Sequence, residues 1–150
     1  MSAELALLDS NVLVYAYYEE SQHHTAALGL LNQAQDGLIA LCLVPQVLAE
    51  FYAVVTDSRR VTDAYRPDEA LDVIDEILAM PGLRLLPLPA DVVTRWTGLV
   101  RQHPVTGGAV FDAQLAATML GNGIATIYTF DRSHFERYEE LEVLTPQPVD

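Results

Sequence analysis

In Leu5-Ala-Leu-Leu8-Asp9-Ser10-Asn11, four apolar residues run straight into an aspartate, and a helical stretch from Asn11 to Tyr18 follows at once. A short apolar run without alternation is what a strand buried on both faces looks like. The same grammar recurs along the chain. Gln22 to Ala34 has Ala26, Ala27, Leu30 and Leu31 at helical spacing and stops at Gly37, as helices do at glycine. Leu38 to Val44 is a second apolar strand, and Pro45 opens a helix to Asp57 at the position proline favours. Pro67 to Met80 is amphipathic, with Ala70, Leu71, Ile74, Ile77 and Leu78 on one stripe, and Pro81-Gly82 ends it. Leu83 to Leu86 is strand-like, and Ala90 to Gln102 returns to helix. Thr106-Gly107-Gly108 is the most flexible stretch and leads into a helix from Val110 to Leu120. Ala125 to Tyr128, a helical turn from Asp131, Leu141 to Leu144 and a tail marked by Pro146 and Pro148 complete the series.

Short strands alternating with helices predict an α/β domain, three-layered α/β/α, with a central parallel sheet covered on both faces. Right-handed crossovers are the default. Ligands of such sheets bind beyond the carboxyl ends of the strands, where the strand order reverses. Asp9 follows one strand and Asp131 follows another, so both belong at that edge.

The 150 residues fit a single domain spanning 1–150, without repeat or linker. With 51% hydrophobic and 19% charged residues the chain has ample material for a core, which argues against disorder. The net charge is −13, and all eight basic residues are arginine. Such a chain should repel nucleic acid unless something brings positive charge to the site. Cys42, the single cysteine, lies in an apolar run and reads as a small buried hydrophobe in a reducing compartment. The start, Met1-Ser2-Ala3-Glu4-Leu5, lacks the features of a signal peptide. Leu38 to Val55 is interrupted by Pro45, Gln46 and Glu50, so no membrane span is expected and the cytoplasm is the expected location.

Four acids carry the chemistry. Asp9 and Asp131 can each be read as a helix cap, with Thr129 as another capping candidate. Asp112 is more telling, because Leu115, Ala116 and Met119 follow it at helical spacing. A carboxylate on an apolar stripe faces inward or toward a cleft edge, where an unpaired charge is expensive. Glu50 shares its helix side with Gln46, Ala53 and Asp57, which alone is compatible with an ordinary solvated face. Together, carboxylates around one cleft repel: two charges about 4 Å apart at an effective dielectric of about 20 cost about 4 kcal/mol. Protons or a hard cation must neutralise them, and an oxygen-only ligand set selects Mg²⁺ or Mn²⁺ over zinc. Such ions can activate water for phosphodiester hydrolysis, and their charge lets phosphate approach an acidic protein.

On four segments the chain resembles the PIN-domain family, and within it the VapC toxins of bacterial toxin–antitoxin pairs. They are Leu7 to Ala16, Val47 to Val55, Val110 to Ala117 and Ile127 to Phe135, in the family's order. The resemblance implies a PIN fold, Mg²⁺- or Mn²⁺-dependent endoribonuclease activity on RNA, a VapB-like antitoxin partner and a homodimer. By position it makes Asp9, Glu50, Asp112 and Asp131 the catalytic metal-site acids, with Asn11 and Thr129 as supporting polar groups. Ser133 and His134 stand where the family often has another acid, which leaves the number of metals open at one or two.

Other residues keep two readings. Arg59, Arg60 and Arg66 could contact RNA phosphates or form a solvated loop. His134 reads as a surface histidine, with assistance in catalysis as the alternative. His23 and His24 read as exposed helix-start residues, and Tyr15, Tyr17, Tyr18, Phe51 and Tyr52 as mostly core. Competing classes fare worse. A haloacid-dehalogenase-type phosphotransferase needs an aspartate where Asn11 stands, and it shares with response-regulator receivers a requirement for lysine. No P-loop or Gly-x-Gly-x-x-Gly follows a strand. The remaining rival is a PIN-like binding module, catalytically weak, that acts through protein partners.

Overall fold

The computed structural model describes residues 4–148, so the reading of the first three residues lies outside the described part. Five strands form one parallel sheet: β1 (Leu5–Leu8), β2 (Ala40–Leu43), β3 (Leu83–Leu85), β4 (Thr126–Tyr128) and β5 (Glu142–Leu144). Their order is β3-β2-β1-β4-β5. Between them run helices α1 (Ser10–Ala16), α2 (His24–Gln35), α3 (Pro45–Val55), α4 (Pro67–Ala79), α5 (Val92–Gln102) and α6 (Ala109–Gly121). A 3₁₀ turn, Arg132–His134, follows β4.

The chain steps outward from β1 to β3, then crosses back so that β4 pairs with the free side of β1. The order therefore reverses at β1, between β2 and β4. Helix contacts fall into two groups, α1 with α2 and α3 followed by α3 with α4, and separately α5 with α6. Helices grouped in this way are what a parallel sheet covered on both faces requires. β1 is central and its Leu7 and Leu8 are fully buried, which is why its sequence shows no polar alternation.

α6 is buried on two sides. Leu115 and Met119 join the main core, while Ala113, Ala116 and Ala117 meet Val92 and Leu99 of α5. A helix enclosed in this way is apolar nearly all round, which makes Asp112 near its start conspicuous.

The predicted boundaries shift by one or two residues in most elements, because helix and strand ends are set by local bonding that composition does not encode. α2 stops as predicted, with Gly37 at a φ of 76° and Leu38 N–H bonded to the Gln33 carbonyl. α4 departs more: Ala70 and Ile77 are buried, but Leu71 and Leu78 are 54% and 46% exposed. α4 packs on α3 and on the edge strand β3, so only the middle of the stripe has something to cover it. Cys42 is buried as expected, and burial pushes its thiol up to about 11. No helix among the described residues is long and apolar enough to cross a membrane.

Candidate metal centre

Each of the four acids is delivered by a different part of the fold. Asp9 is the residue after β1, Glu50 lies in the middle of α3, Asp112 sits in the first turn of α6, and Asp131 follows β4. All four line one cleft of about 350 Å³ at the carboxyl edge of the sheet. It opens where the strand order reverses, the place the sequence pattern predicted.

Asp9 is the anchor. Its backbone N–H bonds to the Tyr128 carbonyl, which ties the end of β1 to the end of β4. One carboxylate oxygen accepts from the Ser10 N–H at 2.8 Å, so the helix-cap reading is half right. The other accepts from the Thr129 hydroxyl at 2.8 Å and from Asn11 Nδ2 at 3.4 Å. The side chain is only 7% exposed. Burial raises its carboxyl to about 6; the Thr129 and Ser10 bonds work against that rise, and Glu50 and Asp112 add to it.

Thr129 is fully buried and does two jobs at once, donating to Asp9 and accepting from the Asp131 N–H at 3.0 Å. Asn11 is a second bridge: its Nδ2 reaches Asp131 Oδ2 at 3.1 Å, and its Oδ1 accepts from the Phe130 N–H at 3.2 Å. Both residues thus hold acids from two strand ends in register. Asp131 does not cap the turn after it with its side chain.

Glu50 is held from both sides, by the Ser10 hydroxyl at 3.2 Å and by Gln46 Nε2 at 2.8 Å. Gln46 also donates to the Phe111 carbonyl and accepts from Gln114, linking α3 to α6. This linkage makes Glu50 part of a fixed network rather than a freely solvated face. Asp112 is half-buried, and burial raises its carboxyl above the ordinary range; His134 and Arg137 oppose that rise, while Glu50 and Asp131 reinforce it. His134 Nδ1 lies 3.6 Å from Asp112 Oδ2, so this surface histidine also lines the cleft.

His23 and His24 differ from the expectation of exposed helix-start residues. His23 stacks on Phe130 with centroids 4.3 Å apart, and His24 Nδ1 meets the Tyr15 carbonyl at 2.9 Å. They are half-buried because the start of α2 packs against α1 and the segment after β4. Phe51 is fully buried as expected, whereas Tyr15, Tyr17, Tyr18 and Tyr52 are half-buried. Two polar residues lining the cleft and the hollow beside it escaped the sequence reading, Ser10 and Arg137. Ser10 was findable from its place beside Asp9; Arg137 lies in an irregular segment with no periodicity to aim it.

Among the described residues no three His, Cys, Asp or Glu side chains converge tightly enough to form a ready-made metal cage. Mg²⁺ does not ask for one: it usually keeps several waters and takes one or two carboxylates. An oxygen-lined cleft whose most buried acid is pushed up to about 6 fits a hard divalent cation.

The comparisons agree with this fold. A PIN-domain family model matches residues 6–141. Ribonuclease VapC43 of Mycobacterium tuberculosis is 35% identical over 135 residues, covering 89% of this chain and 90% of that protein. Among solved structures, VapC20 of Mycobacterium tuberculosis, a sarcin–ricin loop cleaving toxin, superposes with a TM-score of 0.67 at 18% identity, covering 90% of this chain and 95% of its own. VapBC2 from Rickettsia felis, bound to a promoter DNA fragment, gives 0.65 at 19% identity over 94% and 98%. A model match over most of the chain, on a parallel sheet with its acids at the switch point, establishes that this protein belongs to the PIN-domain family, in its VapC branch.

Proposed function

We propose that the chain is a Mg²⁺- or Mn²⁺-dependent endoribonuclease, the toxin of a VapBC-type pair. The observation that carries the reading is the meeting of Asp9, Glu50, Asp112 and Asp131, from four separate segments, in one cleft at the switch point. The named relative is a VapC ribonuclease at 35% identity. A VapB-like antitoxin as partner follows from the same kinship, and VapBC2 is a solved example of such a pair.

One or two of the four acids, with water filling the remaining positions, would hold a divalent ion, which when bound supplies an activated water and charge stabilisation for the departing oxygen. Thr129 and Asn11 keep Asp9 and Asp131 in register through the bonds described above. Ser10 and Gln46 hold Glu50 toward the cleft. In hydrolysis one P–O bond forms to the water oxygen, one P–O bond to the leaving ribose oxygen breaks, and the proton lost by water ends on the leaving oxygen.

The test is cleavage of structured RNA by purified protein with Mg²⁺ or Mn²⁺, with chelator as control. Cleavage should require the metal and vanish in Asp9→Asn and Asp112→Asn. Equal cleavage by wild type and both variants would reveal a contaminating nuclease and overturn the reading.

A further inference from the structure

The chain has eight arginines against 21 acids, so an exposed guanidinium has many carboxylates to choose from. Four take one: Arg59 pairs with Asp57, Arg66 with Asp68 and Glu69, Arg95 with Asp91, and Arg132 with Glu136. Four make no ion pair among the described residues, and of these Arg60 and Arg137 are exposed at the site, Arg60 lining the acidic cleft and Arg137 the hollow beside it. The cleft continues past the acids into a second hollow beside the start of α6, lined by Gly108, Ala109 and Phe111. Ser10, Glu50, Asp112 and His134 border both hollows. Arg60 also borders both, and Arg137 borders only the outer one.

We propose that Arg60 and Arg137 are the phosphate-binding positions of the RNA path, Arg60 taking the phosphate beside the cleavage point and Arg137 the next one out along the second hollow. This rests on the ribonuclease reading and extends it, by fixing where the strand leaves the acids. The guanidinium fork matches two phosphate oxygens, and its charge cannot be lost by deprotonation. A chain of net charge −13 needs such positions, because a phosphate backbone approaching the acids meets repulsion except where a cation is left uncommitted. The same contrast sorts the sequence candidates. Arg59 and Arg66 are engaged by their own neighbours, and only Arg60 of the three lines the cleft.

A competing role for Arg137 is local: it offsets the charge of Asp112 and touches no substrate. The two roles separate by salt dependence. A phosphate contact releases counterions, so its removal flattens the dependence of log binding constant on log salt by about 0.7 per contact on a single strand. A countercharge within the protein leaves that slope unchanged.

The measurement is fluorescence anisotropy of a dye-labelled single-stranded RNA dodecamer in a sodium chloride series, in an Asp9→Asn background that leaves the RNA intact. Arg60→Gln and Arg137→Gln should each flatten the slope by about 0.7, and together by about 1.4. The loss should be similar for unrelated RNA sequences. Arg60→Lys and Arg137→Lys should keep the slope, and Arg59→Gln and Arg66→Gln should leave it where it was. Binding by the background protein with an unchanged slope in the double variant overturns this inference and leaves the ribonuclease reading standing. No binding by the background protein at any salt concentration overturns this inference, while the cleavage assay with wild-type protein decides the ribonuclease reading separately.

Discussion

Replacing Asp9 by asparagine should stabilise the metal-free protein near neutral pH while removing activity, and the size of the gain can be worked out. The Asp9 carboxyl sits at about 6 in the folded protein against an ordinary value of 3.8. Because the folded value is raised, the folded state binds the proton more tightly, and stability falls as pH rises through the interval between the two values. Above about pH 6 the ionised group costs about 3 kcal/mol relative to the unfolded chain, at 1.36 kcal/mol per unit. Asparagine removes that charge but brings its own conflict. Both carboxylate oxygens accept from donors, Ser10 N–H on one side and the Thr129 hydroxyl on the other, so the new amide NH₂ must face one of them. One mismatched buried bond costs about 1–2 kcal/mol. The net gain at pH 7.5 in chelator is therefore about 1–2 kcal/mol, or roughly 2–8 °C in melting temperature for a domain of this size. Near pH 4 the charge penalty is mostly gone and only the mismatch is left, so the order should reverse. With Mg²⁺ added at pH 7.5 the wild type should gain stability by mass action and Asp9→Asn much less. Differential scanning fluorimetry at both pH values, with and without Mg²⁺, reads all of this. A lower melting temperature for Asp9→Asn at pH 7.5 in chelator would show that burial does not penalise the charge, and the reasoning would fall.

Thr129→Val leaves the volume of a fully buried side chain and takes away the hydroxyl that serves Asp9 and Asp131. It should cost about 2 kcal/mol, seen as a fall of roughly 4–8 °C in melting temperature. It should also move the Asp9 titration still higher, since the Thr129 bond lowers it; carbon-detected carboxyl shifts across a pH series would show no movement if that bond is unimportant. The two left-handed glycines flanking β2 and β3 should behave differently. Gly37→Ala, at a φ of 76° with open space around it, should cost about 1–2 kcal/mol. Gly82→Ala, at 86°, would also drive a Cβ into the Ala34 carbonyl and should leave little folded protein by circular dichroism. Equal losses in the two variants would rule out the collision.

Element types were legible because they depend on local pattern. The unbroken apolar runs at Leu5–Leu8 and Ala40–Leu43 occupy neighbouring central strands, and the prolines at 45 and 67 open α3 and α4 where expected. Asp112 was legible for the same reason: its helical neighbours Leu115, Ala116 and Met119 are buried, so its direction followed from theirs. The Ser10–Glu50 bond was not legible, because it joins the first residue of α1 to α3 across 40 positions, and no period carries such information. The stacking of His23 on Phe130 was hidden likewise, since it depends on how α2 docks. Arg60 was visible as a candidate but indistinguishable from Arg59 and Arg66 until their ion pairs were seen.

The crossing back of the chain to the free side of β1 also decides when the cleft can exist. On a ribosome, β1, β2 and β3 emerge first, and Asp9 and Glu50 emerge with them. One flank of β1 then stays open until β4 is made, because the partner of Ala6, Leu7 and Leu8 on that side is Thr126 to Tyr128. The hydroxyl that fixes Asp9 is separated from it by 120 positions, and Asp131 comes two residues later still. A nascent chain short of β4 therefore has three of its four acids but lacks Asp131 and the Thr129 hydroxyl that bridges it to Asp9. For a protein read as an RNA-cutting toxin, built while its own messenger and ribosome lie within reach, this strand order postpones the assembly of the cutting edge until β4 and the segment after it have been made.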